Sequence, residues 1–184
     1  MKTQSAGVRA GLITATVAAL LGIGVVQAGD NSTRHEAQAM EKAKISLSQA
    51  VRAAEKQSGG QAVSAEYELK SGNPAYYEVK VLSSDGQKLT KYELDPNTGQ
   101  VMKTSDEKFE KLFTRLKPTA IQNAPTSLTR AIATAEARGA GKASEASISR
   151  DGDQVQYDIE VAKLDGTTEK FKINGSDGKV ASAK

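Results

Sequence analysis

The hydrophobic positions change their spacing along the chain, and these changes divide it into successive helices and strands. Leu47, Ala50, Val51 and Ala54 follow the i, i+3, i+4, i+7 spacing that places apolar residues on one face of a helix. From Val63 onward apolar and polar residues alternate, which is the period of a strand with one buried face. The pattern therefore predicts a helix followed by strands that bury its apolar face.

Start and stop signals support this prediction. Ser46 and Gln49 fit a capping box, in which each side chain bonds the free backbone N–H of the other residue. Gly59 follows the helix and suits the left-handed conformation that ends many helices. The strand positions predicted to face inward are Val63, Ala65, Tyr67, Leu69, Tyr77, Val79, Val81, Tyr92 and Leu94.

The same order of patterns returns about 80 residues later, by direct comparison of the two stretches. Leu128, Ala131, Ile132 and Ala135 repeat the helix stripe, and the strands of residues 157–180 repeat those of 77–101. The sequence therefore predicts an α+β fold of two small repeats, each with one helix packed on a three- to four-stranded antiparallel sheet.

The repeats set the expected division of the chain. We expect a first unit at residues 45–104 and a second at 126–184, preceded by a polar lead at 29–44. Thr33 and Glu36 suggest a capped short helix in that lead. Residues 105–125 are predicted to form an amphipathic helix and a linker.

The predicted linker helix has its own signals. Thr104 and Glu107 fit a capping box at its start, and Pro118 would end it. Its apolar stripe consists of Phe109, Leu112, Phe113 and Leu116. Such a stripe usually packs on a neighbouring sheet, and the alternative is a docking helix for a partner or a second copy.

The two predicted hairpins need different turns to bring their apolar residues onto one face. A two-residue type I′ turn at Asp85-Gly86 pairs Val79 with Tyr92. The second hairpin is one residue shorter, so an odd loop at Leu164-Asp165-Gly166, with Gly166 left-handed, is needed to pair Ile159 with Phe171 and Tyr157 with Ile173.

These registers give the outer faces different charge patterns. The first hairpin opposes Lys80 to Lys91 and Glu78 to Glu93, and like charges held opposite each other are unfavourable. The second hairpin pairs Asp158 with Lys172 and Glu160 with Lys170. We therefore take Glu78, Lys80, Lys91 and Glu93 as the candidate partner-binding face.

The first 28 residues have the pattern of an export signal. Lys2 and Arg9 precede an uncharged stretch, and Val26-Gln27-Ala28 offers small residues for cleavage after Ala28. The alternative is a retained membrane anchor, although the uncharged stretch is short for a span, which needs about 20 apolar residues. No cysteine follows, which excludes a lipid-modified cysteine.

Composition excludes several classes of function. Without Lys2 and Arg9 the 25 basic residues become 23 against 22 acidic ones, so nucleic acid and anionic membranes are not expected partners. The chain has no cysteine and a single histidine, His35, so no metal, cofactor or catalytic site is predicted. The Asp95–Gly99 stretch could suggest a calcium loop, but Gly99 stands where a ligand is needed, which favours a turn.

Helix followed by three antiparallel strands and a closing turn resembles the PepSY domain. The resemblance rests on residues 45–51 and 126–132, the strands 77–81 and 157–161, and the turns 95–101 and 174–180. It implies a tandem, exported bacterial module without catalytic residues, in the periplasm or secreted. No HExxH peptidase motif accompanies it.

The resemblance also implies a function. We expect the protein to bind or inhibit a peptidase or a peptide segment in the cell envelope, since an open sheet edge can accept an extended peptide as a further strand. The alternative is an envelope sensor or adaptor that binds another protein, a small ligand or a divalent cation.

Overall fold

The computed structural model describes residues 31–70, 72–108 and 116–184, which form an α+β fold with four helices and one antiparallel sheet of eight strands. The helices are α1 (Asn31–Lys42), α2 (Leu47–Ser58), α3 (Pro118–Gln122) and α4 (Leu128–Gly139), and the strands are β1 (Gln61–Glu68), β2 (Tyr76–Leu82), β3 (Leu89–Leu94), β4 (Val101–Glu107), β5 (Lys142–Asp151), β6 (Gln154–Ala162), β7 (Thr168–Asn174) and β8 (Val180–Ala183). The predicted fold class is confirmed. The predicted signal segment, including Ala28, lies outside the described residues.

The eight strands follow the order β4-β3-β2-β1-β5-β6-β7-β8, with every neighbouring pair antiparallel. The first four strands and the last four therefore run outward from a shared centre, where β1 pairs with β5. Residue pairs at this junction are Ser64 with Ser147, Ala65 with Ala146 and Glu66 with Glu145. One continuous sheet results.

Helices α2 and α4 lie side by side on one face of the sheet and form the core with it. Their apolar stripes are buried as predicted, with Ala50, Val51, Ala131 and Ile132 fully enclosed. Ser46 forms the predicted capping box with Gln49, and Gly59 ends α2 in the left-handed conformation at φ 68°. Leu69 was predicted to face inward but lies past the end of β1 and is 40% exposed, so that prediction is wrong.

Helix α4 ends at Ala140, which takes the left-handed conformation (φ 50°, ψ 44°) that Gly59 takes after α2. A β-carbon is strained there, so Ala140→Gly should stabilise the protein by about 0.5–1 kcal/mol. Urea unfolding measures the gain, and Gly59→Ala should cost a similar amount. An Ala140→Gly variant no more stable than the parent would contradict this assignment of strain.

The register of the first hairpin is as predicted, but its turn is not. Val79 pairs with Tyr92 and Tyr77 with Leu94. The connection is a four-residue loop, Ser84–Gln87, closed by the bond from Ser83 N to Lys88 O at 2.8 Å. Asp85 does not adopt the positive φ of a type I′ turn because its carboxylate accepts bonds from the Ser83 hydroxyl and the Gln87 N–H.

The second hairpin has the predicted register and the predicted loop. Ile159 pairs with Phe171 and Tyr157 with Ile173. The three-residue loop Leu164-Asp165-Gly166 is closed by the bond from Lys163 N to Thr167 O at 2.9 Å, and Gly166 is left-handed at φ 82°. The outward pairs Asp158–Lys172 and Glu160–Lys170 follow from this register.

Two predicted helix starts are wrong. Helix α1 is already formed at Asn31, so Thr33 lies within it and does not cap it. Thr104 and Glu107 lie in β4, where pairing with β3 keeps the chain extended. Of the predicted linker-helix stripe, Phe109, Leu112 and Phe113 lie outside the described residues, and Leu116 is buried.

Pro118 begins a helix, a role that the sequence did not predict. It occupies the first turn of α3, where its missing N–H costs nothing. Helix α3 packs on the β2–β3 turn, and the Gln122 side chain donates 2.8 Å to the Ser84 carbonyl oxygen. Helix α1 packs in the same way on the β6–β7 turn, so the segment before each long helix caps a hairpin of the other half.

Candidate functional site

The four residues of the candidate face, Glu78, Lys80, Lys91 and Glu93, come together on the outer face of the sheet, opposite α2 and α4. The register places Glu78 opposite Glu93 and Lys80 opposite Lys91, as predicted. Their side chains are only 15–23% exposed, and ion pairs link them to one another. The face is therefore a packed ionic network.

Diagonal ion pairs offset the opposition of like charges in this network. The ammonium nitrogen of Lys91 lies 3.4 Å from a carboxylate oxygen of Glu78, and between 3.7 and 3.9 Å from oxygens of Glu107 and Glu93. Burial lowers the pKa of Lys91, but the carboxylates of Glu78, Glu107 and Glu93 outweigh it and raise the pKa above its ordinary value. Lys91 is the centre of the network.

The strand registers also align one row of charged residues across the sheet. The row crosses seven neighbouring strands in the spatial order β4, β3, β2, β1, β5, β6 and β7. Its residues, in that order, are Lys103, Glu93, Glu78, Glu66, Glu145, Glu160 and Lys170. Five glutamates thus stand directly opposite one another on adjacent strands, and we call them the glutamate row. Opposed side chains on adjacent strands have β-carbons about 4.5–5.5 Å apart.

Within this row of opposed residues, only the two end glutamates, Glu93 and Glu160, have a lysine directly opposite them. Lys103 lies 3.3 Å from Glu93, and Lys170 lies 2.7 Å from Glu160. Glu66 and Glu145 at the centre form no ion pair within the described part of the chain. Burial raises the pKa of Glu66, and the charges of Glu68, Glu145, Glu78 and Glu36 raise it further.

Replacing Glu66 with glutamine should stabilise the protein by about 0.5–1 kcal/mol at pH 7.5. Because the folded-state pKa of Glu66 is raised, its ionised form opposes folding at neutral pH. That cost disappears as the pH falls through the raised pKa toward the ordinary value of 4.5. The gain should therefore shrink in urea titrations at pH 4.5.

Glu160→Gln is the matched control for this prediction. It belongs to the same row but loses the ion pair with Lys170, so it should be neutral or destabilising at pH 7.5. Equal effects of the two substitutions would contradict a special cost at the centre of the row.

The outer face holds a shallow depression where the two halves of the sheet meet. Its volume is about 310 Å³, and its polar lining residues are Ser64, Glu66, Glu78, Lys80, Glu145 and Ser147. No group of three or more histidine, cysteine or carboxylate residues placed to hold a metal occurs among the described residues. His35 is exposed on α1.

The Asp95–Gly99 stretch is a turn, as predicted. One carboxylate oxygen of Asp95 accepts backbone bonds from Asn97 and Thr98, at 2.7 and 3.0 Å. Gly99 takes the left-handed conformation at φ 71°. Asp95 thus holds the turn that leads from β3 into the edge strand β4.

Residues 44–104 match the family model PepSY, described as the peptidase propeptide and YPEB domain. The matched residues comprise α2 and strands β1 to β3 with most of β4. No curated protein matches the chain. None of the helices in the described ranges has the length and apolar character to cross a membrane.

Two solved structures are similar to this chain. A candidate lipoprotein from Clostridium difficile 630 has 21% identity and a TM-score of 0.48, with 81% of this chain and 98% of that chain covered. The YpmB protein from Bacillus subtilis has 16% identity and a TM-score of 0.31, with 73% and 93% covered.

Proposed function

We propose that this protein is an exported, non-catalytic module that binds or inhibits a peptidase, or holds an extended peptide segment, in the cell envelope. The observation that carries the proposal is the position of the PepSY match, which includes Glu78, Lys80, Lys91 and Glu93. A preformed ionic network recognises a partner through complementary charge and loses little side-chain entropy on binding.

The edge strand β4 supplies a second means of recognition. Ser83 and Lys88 form a hydrogen-bonded pair, and in an antiparallel sheet the residues of a strand bond alternately to the neighbour on one side and the neighbour on the other. Followed from this pair through β3 to β4, the alternation directs the backbone N–H and C=O groups of Thr104 and Asp106 away from β3. An extended segment can add to such an edge as a further strand. Lys103 on this strand guards the edge against unspecific pairing.

We further propose that the second half is a second PepSY unit, which makes the protein a tandem one. Equivalent hydrogen bonds support it, since Tyr77 donates to the Ile45 carbonyl and Tyr157 to the Thr126 carbonyl. A helix glutamate likewise accepts from the first strand in both halves, Glu55 from Ala62 at 2.9 Å and Glu136 from Ala143 at 3.0 Å.

Capture from the envelope proteins of the source organism tests the proposed function. Residues 29–184 serve as bait, and the eluted peptidases are assayed for inhibition alongside a panel of metallopeptidases. A bait carrying Glu78→Gln and Glu93→Gln should retain at most a tenth of the binding, as expected when charged contacts are lost. Asp158→Asn with Glu160→Gln is the matched control on the other half.

The outcomes are distinguishable. Equal loss in both paired variants would place binding outside the candidate face, and recovery of no peptidase with no inhibition would overturn the proposal. For the export step, mass spectrometry of the envelope protein should find an N-terminus at Gly29. A chain that retains its first 28 residues would instead indicate an anchor.

A second candidate is an envelope sensor or adaptor that responds to a divalent cation, bound weakly by the opposed pair Glu66 and Glu145 and not by a preformed group of three ligands among the described residues. Carboxylate oxygens are the ligands that calcium prefers, and a bound cation would relieve the repulsion at Glu66 and Glu145. Millimolar calcium should then raise the melting temperature, and Glu66→Gln with Glu145→Gln should abolish the rise. A melting temperature that calcium leaves unchanged would reject this candidate.

A further inference from the structure

Strand β4 lies at the outer edge of the first half of the sheet, beyond the layer of helices. Helix α2 packs mainly on β1, β2 and β5. On the helix side of the sheet Tyr92 is buried in β3, whereas Thr104, which stands opposite it in β4, is exposed. The Asp106 side chain on the same side is 75% exposed. Strand β4 therefore has both its backbone and its side chains accessible to an added strand.

The other half of the sheet supports the direction of the free backbone groups. Lys170 and Lys184 hold in β7 and β8 the places that Lys91 and Ser105 hold in β3 and β4. These two lysines exchange both of their backbone hydrogen bonds, each at 2.8 Å. The same exchange between Lys91 and Ser105 directs the residues on either side of Ser105 outward. An added strand thus meets two N–H and two C=O groups on β4.

Asp106 gives this edge a preference for a positive charge. Its ion pair with Lys88 has a length of 2.8 Å, but the two side chains are 75% and 57% exposed. Such a pair contributes little stability and can be exchanged for another. In an antiparallel added strand, the residue directly opposite Asp106 has its side chain on the same face. A lysine or arginine at that position would pair with Asp106.

Met102 and Lys103 define two further positions. Met102 has no partner in β3, because the register shifts there, and it is 53% exposed. An antiparallel strand reaches Met102 four residues after its basic residue, and an apolar side chain at that point removes apolar surface from water. Lys103 lies on the opposite face and is 64% exposed. An acidic residue directly before the apolar one would stand opposite Lys103.

We propose that β4 binds an extended segment that runs antiparallel to it and carries, in order, a basic, a variable, a β-branched, an acidic and an apolar residue. The β-branched residue stands opposite Thr104 and suits a pleated surface. The proposal rests on the proposed function and names the class of peptide segment that the edge would hold. Exchanging the basic and acidic residues places like charges opposite Asp106 and Lys103, which is unfavourable.

Titration of isotope-labelled residues 29–184 with synthetic peptides, followed by nuclear magnetic resonance at low ionic strength, tests the preference. The probe is the capped peptide Ser-Lys-Thr-Val-Glu-Leu-Ser, and its control has the lysine and the glutamate exchanged, so that composition and net charge are equal. The probe should shift the amide signals of Thr104 and Asp106 and bind roughly 5- to 20-fold more tightly than the control. Asp106→Lys should remove this preference.

A proline substitution tests the backbone bonds. Thr104→Pro removes an N–H that β3 does not use, and edge strands tolerate proline where the N–H faces solvent. It should weaken binding of the probe by about 10-fold or more, with the urea midpoint little changed. Ala183→Pro is the matched control, because Ala183 holds the corresponding place in β8. It should leave binding of the probe unchanged.

Three results would overturn the proposal: equal affinity for the two peptides, signal shifts centred away from β4, or no binding of either peptide. The proposed function is tested separately by the capture experiment. A peptidase that is captured by Thr104→Pro as well as by the parent, but not by the paired variant at Glu78 and Glu93, would keep the proposed function and reject the edge as its means of binding.

Discussion

Replacing Gly141 with alanine is expected to destabilise the protein by about 3 kcal/mol, at the upper end of what overpacking costs. A β-carbon at Gly141 would lie 2.4 Å from the Ala162 carbonyl oxygen and 2.8 Å from the Val161 side chain. The carbonyl belongs to strand β6, which is paired with β5 immediately beyond Gly141, so the backbone cannot move aside. Urea unfolding at pH 7 measures the loss.

Two further substitutions separate steric from conformational effects. Gly60→Ala should behave like Gly141→Ala, because a β-carbon there would lie 2.3 Å from the Leu82 carbonyl oxygen. Gly152→Ala meets open space but requires a positive φ of 58°, so it should cost only about 1 kcal/mol. A Gly141→Ala loss no larger than the Gly152→Ala loss would contradict the clash.

The features predictable from sequence are those determined by nearby residues. Helix stripes and strand alternation depend on spacings of two to four residues, so the buried sets of α2, α4, β2 and β3 followed from the sequence. Both hairpin registers followed because one face must be buried. The type of the first turn did not follow, since the bonds of Asp85 decide between loops that give the same register.

The features that escaped prediction depend on distant pairs. The glutamate row exists because Glu66 pairs with Glu145, and no local pattern indicates that β1 and β5 meet. Ala65 and Ala146, which pair at this junction, stand at corresponding points of the repeat, and this was the available signal, since an unpaired strand edge in each unit favours joining them. The capping patterns at Thr33 and Thr104 predicted helix starts that the structure does not have. Helix α1 already begins before Thr33, and strand pairing holds Thr104 in β4 despite its local helix signal.

A fragment of residues 29–108 is expected to remain unfolded, although it contains the whole PepSY match. The fragment would lose the β1–β5 pairing and the contact between α2 and α4. It would also lose α3, whose Pro118 and Gln122 cover the β2–β3 turn, while α1 would lose the turn at Asp165 on which it packs. A domain of about 80 residues with a small core has little stability to spare.

Circular dichroism and hydrogen exchange of the fragment check this expectation. Residues 29–184 are the control and should unfold in one transition, with α2 and α4 protected to the same extent, because one core joins both helices to the sheet. Mixing fragments 29–108 and 109–184 should restore part of the protection if the β1–β5 junction supplies the missing stability. A fragment of residues 29–108 that folds cooperatively alone would show that its half is an independent domain. It would also show that this half does not need α3 on the β2–β3 turn.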